Sequence, residues 1–169
     1  MYDSRFLLLC ASILKDGDCD EIFKLLKNKE DFMTNELLNK AKTIKSKYVT
    51  IIDQDYPNAL RKVFKPPIVI YYYGDLSLAN NIDNNIAIVG TREPTSTAVI
   101  HTTMVSKFAT DRGYCIVSGL AYGVDYIAQN TAMINNGKVI AVLGSGIDTC
   151  YPKQNFKLYE HIKEKGLIL

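Results

Sequence analysis

Three short segments concentrate the residues able to do chemistry: Gly90-Thr91-Arg92, Ser118-Gly119-Leu120-Ala121-Tyr122-Gly123-Val124-Asp125, and Gly144-Ser145-Gly146-Ile147-Asp148. Each follows an apolar run. Glycine lets the backbone approach a ligand closely, and amide groups at the start of a following helix attract anions, so the chemistry these segments suit is capture of a phosphate. Arg92 could grip it bidentately, and Thr91, Thr95, Ser96 or Ser118 could add hydroxyl donors. Tyr122 and Tyr151 offer rings to bases, although tyrosines in such loops more often pack with one polar end. Asp125 would repel a phosphate and is better suited to cap a helix or to receive a nearby backbone amide. One glycine after one strand is only a tight turn, and Arg92 alone could equally be a solvated surface residue. Three such loops in register make the ligand reading the stronger one.

Other chemistries find little support. No G-x-G-x-x-G opens a helix, and G-x-x-x-x-G-K-[ST], G-x-S-x-G and H-E-x-x-H do not occur. Cys10, Cys19, Cys115 and Cys150 lie far apart, with only His101 and His161 to join them, so zinc and a disulfide framework are both unexpected. Neither histidine falls in the glycine segments, and no carboxylate pair is placed for acid–base work. Binding is expected over catalysis, with no catalytic residues, no metal and no cofactor.

The elements that must position these loops follow from the apolar pattern. Ile86 to Val89, Cys115 to Val117, Val139 to Leu143 and a start at Leu167 read as strands whose first residues are 29, 24 and 28 positions apart. That spacing fits β-α units and a parallel sheet buried on both faces, with helices over Thr97 to Arg112, Tyr126 to Asn135 and Asn155 to Lys165. The fold class is therefore α/β, a doubly wound, Rossmann-like open parallel sheet. In such a sheet the carboxyl ends of the strands share one edge, so the three loops face one crevice. Upstream, Phe6, Leu9, Ile13 and Ile22, Leu25, Leu26 have helical spacing around a turn at Asp16-Gly17-Asp18, and a third helix is expected over Asn35 to Lys47. Three segments result: a small helical region, 1–47; a connector, 48–84; and the Rossmann-like domain, 85–169. The connector holds β-type runs at Tyr48 to Ile52 and Ile68 to Tyr73, a short helical piece near Tyr56 to Val63, and a polar surface loop from Asn80 to Asn85.

Composition bounds the rest. The chain has 169 residues, 47% of them hydrophobic, with 20 basic and 18 acidic side chains, a net charge of +2. It reads as globular, without the basic excess that announces nucleic-acid binding, so any such role depends on a few local cations. The run Phe6 to Leu14 is far shorter than the ~20 residues of a membrane span and lacks the flanks of a signal peptide. It is expected to be a core helix of a cytoplasmic protein with no membrane partner.

Taken together, A-I-V-G-T-R (Ala87 to Arg92), I-V-S-G-L-A-Y-G-V-D (Ile116 to Asp125) and A-V-L-G-S-G-I-D-x-x-Y-P-x-x-N (Ala141 to Asn155) resemble the DNA-processing protein A family, also called Smf. Tyr56 to Gly74 looks like the segment leading into that family's Rossmann-like domain, and the resemblance covers Tyr48 to Leu169. It implies a non-enzymatic protein that binds single-stranded DNA entering the cell in natural transformation, protects it, and loads the RecA recombinase onto it. Single-stranded DNA and RecA are thus the implied partners, with a homodimer as a further possibility. It also implies a DNA pocket at Gly90, Thr91 and Arg92, the Ser118-Gly119 turn and the Gly146 to Asn155 loop. Lys153 and Asn155 are the preferred phosphate contacts there, with Lys157 one helical turn on. With Gly123, Gly144 and Tyr151 from the loop reading, these form the expected DNA-binding set. Binding of this kind weakens with salt in proportion to the phosphates neutralised.

Two departures stand out. Gln129 occupies the position of a histidine in the family's G-I-D-x-x-A-H pattern. The chain stops at Gly166-Leu167-Ile168-Leu169, where members continue into S-E-x-P and F-P-x-R-N-R, so the sheet reads as cut short. An alternative function is a nucleotide-processing hydrolase of the lysine-decarboxylase-like Rossmann class. That class resembles P-G-G-x-G-T-x-x-E at a late strand end, whereas the third loop here is L-G-S-G-I-D with no glutamate. A structural fragment or protein-interaction module is a third reading.

Overall fold

A computed structural model describes residues 2–28 and 31–169. The chain forms two compact units, one up to Tyr71 and one from Tyr72 to Leu169.

The first unit is built on three capped helices. In α1 (Ser4–Leu14), α2 (Cys19–Lys27) and α3 (Asn35–Thr43), the side chains of Asp3, Asp18 and Thr34 each accept a hydrogen bond from a first-turn amide. Asp16 and Gly17, both at positive φ, make the turn between α1 and α2. α3 stops four residues short of the expected Lys47. Ile44 turns extended, and Lys47 already opens strand β1 (Lys47–Thr50). Leu9, Cys10, Ile22, Leu25 and Leu37 form the core with Ile68 and Val69. The connector helix is a single turn, α4 (Asn58–Arg61). Strand β2 (Val69–Gly74) begins in this unit and ends in the next.

The second unit alternates strand and helix as the spacing predicts: β3 (Asn85–Ala87), α5 (Ser96–Asp111), β4 (Cys115–Ser118), α6 (Val124–Ile134), β5 (Val139–Ala141), α7 (Phe156–Lys165) and β6 (Leu167–Ile168). The asparagine-rich stretch before β3 is wound into two short 3-10 turns, Leu76–Asn80 and Ile82–Asn84. β3 to β6 are parallel, with Ile86 beside Ile116, Ile116 beside Val139, and Ile140 beside Leu167. The end of β2 adds an antiparallel neighbour to β6, Tyr73 opposite Ile168, so the sheet is mixed. Gly74 and Gly166 make that approach feasible. A Cβ on Gly74 would lie 2.1 Å from the Gly166 carbonyl oxygen.

The order β6-β5-β4-β3 contains no reversal among the described strands, so the crevice that double winding would create is not made by β3 to β6. The helices between these strands lie side by side, with α6 packed against both α5 and α7. The core beneath them holds Ile116, Leu120, Ala128, Ala132, Val139, Ala141, Leu158 and Ile162. α5 meets α6 through small polar residues, with the Ser106 hydroxyl donating to the Ala128 carbonyl at 2.6 Å. The apolar side chains of α5, including Ile100, Met104 and Phe108, face outward.

Candidate nucleic-acid interface

The three glycine loops leave β3, β4 and β5 at the same edge, and they meet. Arg92 from the first loop, Gly119 and Ala121 from the second, and Leu143, Gly144, Ser145 and Tyr151 from the third line one cleft of about 300 Å³, the low end of the range for ligand sites. Ala121, Leu143 and Ser145 carry no sequence signal of their own. They line the cleft because their neighbours' glycines bring the backbone there.

The first two loops are locked together. The Ser118 hydroxyl donates to the Ile88 carbonyl at 2.6 Å, tying the end of β4 to the residue just after β3. The Val124 amide donates to the Thr91 carbonyl at 3.1 Å. Gly123 sits at φ +75°, and a Cβ there would fall 2.3 Å from the Thr91 carbonyl oxygen. A Cβ on Gly90 would strike Val124 at 2.9 Å. Asp125, 7% exposed, receives the Gly119 amide on Oδ2 at 3.0 Å, the task its charge suggests. Gln129 is fully buried, and its Nε2 donates to the carbonyls of Ser118 and Ile140 at 3.1 and 3.0 Å. It therefore joins β4 to β5.

The third loop is fastened toward its carboxyl side. The Tyr73 hydroxyl donates to Asp148 Oδ1 at 2.6 Å, and the Tyr159 hydroxyl donates to the Ile147 carbonyl at 2.8 Å. The bond to Asp148, with some burial, pushes the Tyr73 hydroxyl up to about 12. Gly144 and Gly146 have open space where a Cβ would stand, and Gly146 takes φ +81°.

The expected contact residues divide accordingly. Arg92 is exposed on the cleft, and its guanidinium has no carboxylate partner among the described residues. Gly119, Gly144 and Tyr151 line the same cleft. Ser118 is not free to serve a ligand, because it is buried and its proton goes to Ile88. Asn155 is a correction of the same kind. Its Nδ2 donates to the carbonyls of Leu120 and Ala121, at 2.9 and 3.3 Å, and so braces the second loop from inside. Thr91 spends its hydroxyl oxygen on the Glu93 amide, and Thr95 caps α5. Gly90 and Gly123 serve loop packing. Lys153 lines a different cavity, with Asp148, Thr149, Cys150 and Phe156, and Lys157 is exposed on α7 outside both. Tyr122 donates its hydroxyl to Gln154 Oε1 at 2.5 Å, which ties the second loop to the third.

The cleft is built from three glycine loops and carries one guanidinium with no carboxylate partner among the described residues, a chemistry suited to an anionic ligand. Comparison with known proteins bears on the family. The model of the family described as DNA recombination-mediator protein A matches residues 47–169. The chain belongs to this family. Among individual relatives, it is 37% identical over 150 residues to Protein Smf of Synechocystis sp., a match covering 88% of this chain and 38% of that protein. It is 35% identical to DNA processing protein DprA of Streptococcus pneumoniae over 120 residues, covering 71% of this chain and 42% of the relative. The X-ray structure of the Streptococcus pneumoniae protein superposes with a TM-score of 0.70 at 30% identity, over 88% of this chain and 48% of that one. DNA processing protein A of Helicobacter pylori, known for a unique single-stranded DNA binding mode, superposes with a TM-score of 0.61 at 34% identity, over 73% of this chain and 55% of that one. The chain thus spans about 40–50% of the length of the relatives first matched. Among the described residues no helix is long and apolar enough to cross a membrane, and no cluster of His, Cys, Asp and Glu could hold a metal ion.

Proposed function

We propose that this member of the recombination-mediator family binds single-stranded DNA with a backbone phosphate seated in the Arg92 cleft. The observation that carries the reading is that the unpaired Arg92 and the open backbone of Gly144 line one cleft of about 300 Å³. A charged donor and an unobstructed backbone are what a phosphate diester needs, and neither requires a base sequence. The single-stranded DNA binding of the Helicobacter pylori relative supports the choice of ligand. Binding, without chemical change to the strand, is the proposed activity. Protection of incoming DNA in natural transformation, delivery to RecA, a homodimeric assembly and a cytoplasmic location complete the reading.

The test is fluorescence anisotropy of a labelled oligonucleotide with the chain and with Arg92→Ala across a salt series. The variant is expected to bind about tenfold more weakly at low salt. The slope of its salt dependence should be shallower by roughly 0.7, because one phosphate of the strand is no longer neutralised. Equal affinity and equal slope would remove the cleft from the interface. Release of free base from nucleoside monophosphates would instead favour the hydrolase reading.

A further inference from the structure

The loop that closes the Arg92 cleft has a second cavity on its other side. Asp148, Thr149, Cys150, Lys153 and Phe156 line a shallow opening of about 530 Å³ with largely apolar walls. Tyr151, next in sequence to Cys150, lines the Arg92 cleft, so one short stretch of backbone separates the two. The cavities differ in charge. The first has a lone guanidinium, whereas the second is lined by one carboxylate and one ammonium and so has no net pull on a phosphate.

The second cavity is also preorganised. Phe156, the first residue of α7, is 54% exposed, yet its ring is steadied by Tyr159, with centroids 6.3 Å apart and planes 20° from parallel. Asp148 is held from behind by the Tyr73 hydroxyl at 2.6 Å, and the Lys163 ammonium lies 4.2 Å from the Tyr73 ring centroid. The Tyr73 bond engages Asp148 Oδ1, and an ionised carboxylate retains lone pairs for further donors. An open aromatic face beside an oriented acceptor matches a planar, uncharged ligand with an amino group on its rim.

We propose that this cavity is a nucleobase subsite. Phe156 stacks on a base of the strand whose phosphate lies in the Arg92 cleft, and Asp148 accepts from that base's exocyclic amino group. The proposal rests on the single-stranded DNA reading above and adds a base preference to it. Cytosine presents an amino donor to a carboxylate, whereas thymine presents a carbonyl oxygen at the same position, so cytosine is favoured.

The experiment measures anisotropy of three labelled strands of equal length, oligo-dC, oligo-dT and an abasic backbone. Each is titrated with the intact chain and with Phe156→Ala, Phe156→Leu and Asp148→Asn, and thermal unfolding confirms that each variant is folded. Base–aromatic stacking predicts that both Phe156 variants lose about fivefold or more on oligo-dC and oligo-dT and nothing on the abasic strand. Leucine keeps apolar volume without a ring face, so its agreement with alanine identifies stacking. Asp148→Asn, whose amide oxygen can still receive the Tyr73 hydroxyl, should lower oligo-dC affinity to that of oligo-dT. Equal losses on all three strands, no loss on any, or equal wild-type affinity for oligo-dC and oligo-dT would overturn the subsite. If wild type and Arg92→Ala bind every strand alike, the underlying DNA reading fails instead, and the subsite falls with it.

Discussion

A methyl group added at Gly90, Gly119 or Gly123 would meet protein atoms at 2.9 Å or less, while one added at Gly144 or Gly146 would meet nothing within 4 Å. The five residues share one sequence context, the loop that follows an apolar strand. In the first two loops glycine is a packing residue that lets Thr91, Arg92 and Val124 come together. In the third it leaves the backbone bare toward solvent. The contrast explains how a site can be both rigid and accessible: two loops form a fixed wall carrying Arg92, and the third supplies another wall, fastened by Tyr73 and Tyr159 toward its carboxyl side.

Substitutions should separate the two roles. Gly123→Ala combines a backbone clash with a positive φ, so it should cost about 3 kcal/mol or more in denaturant unfolding. A loss below about 1 kcal/mol would mean that the first two loops are not locked. Asp125→Ala leaves the Gly119 amide without its partner and should cost about 1–3 kcal/mol by the same measurement. Gly144→Ala should unfold within about 0.5 kcal/mol of wild type yet bind a labelled oligonucleotide several-fold more weakly, because its methyl group enters the cleft. A variant that is destabilised but binds normally would place Gly144 with the packing glycines. The smallest effect concerns the carboxyl side of the third loop. The Tyr73 hydroxyl is raised to about 12 from an ordinary 10, so the folded state holds that proton more tightly than the unfolded chain does. The associated stability is present below pH 10 and is lost as pH rises from about 10 to about 12. Unfolding curves of Tyr73→Phe should lack that component of the decline.

Much of this was legible in the chain itself. Continuous apolar runs such as Val139 to Leu143, of which Val139–Ala141 form the strand, identify strands, and their spacing locates the α-helices of the second unit. The glycine-strand pattern also places the cleft, because parallel strands deliver their carboxyl ends to one edge. What spacing does not convey is which hydrogen bonds a polar residue has already made. Ser118 and Asn155 look like free donors in sequence, yet burial commits both to backbone carbonyls. Gln129 is similar. Its value lies in two carbonyls that become neighbours only when β4 and β5 pair. The antiparallel pairing of β2 with β6 joins residues too far apart for local patterning to register. The outward apolar face of α5 also defeats an amphipathicity argument, since small polar residues at Thr102, Ser106 and Thr110 mediate its packing.

The unreversed strand order has a consequence for how the second unit is made. As the chain emerges from its amino end, β4 finds β3 already present, β5 finds β4, and β6 finds β5, each delivered by a single intervening helix. Assembly can therefore keep pace with translation, because each closure spans only a short loop of chain. β2 is the exception: its end is synthesised before β3 and must wait for β6, so Gly74 and Gly166 come together only once β6 has been delivered.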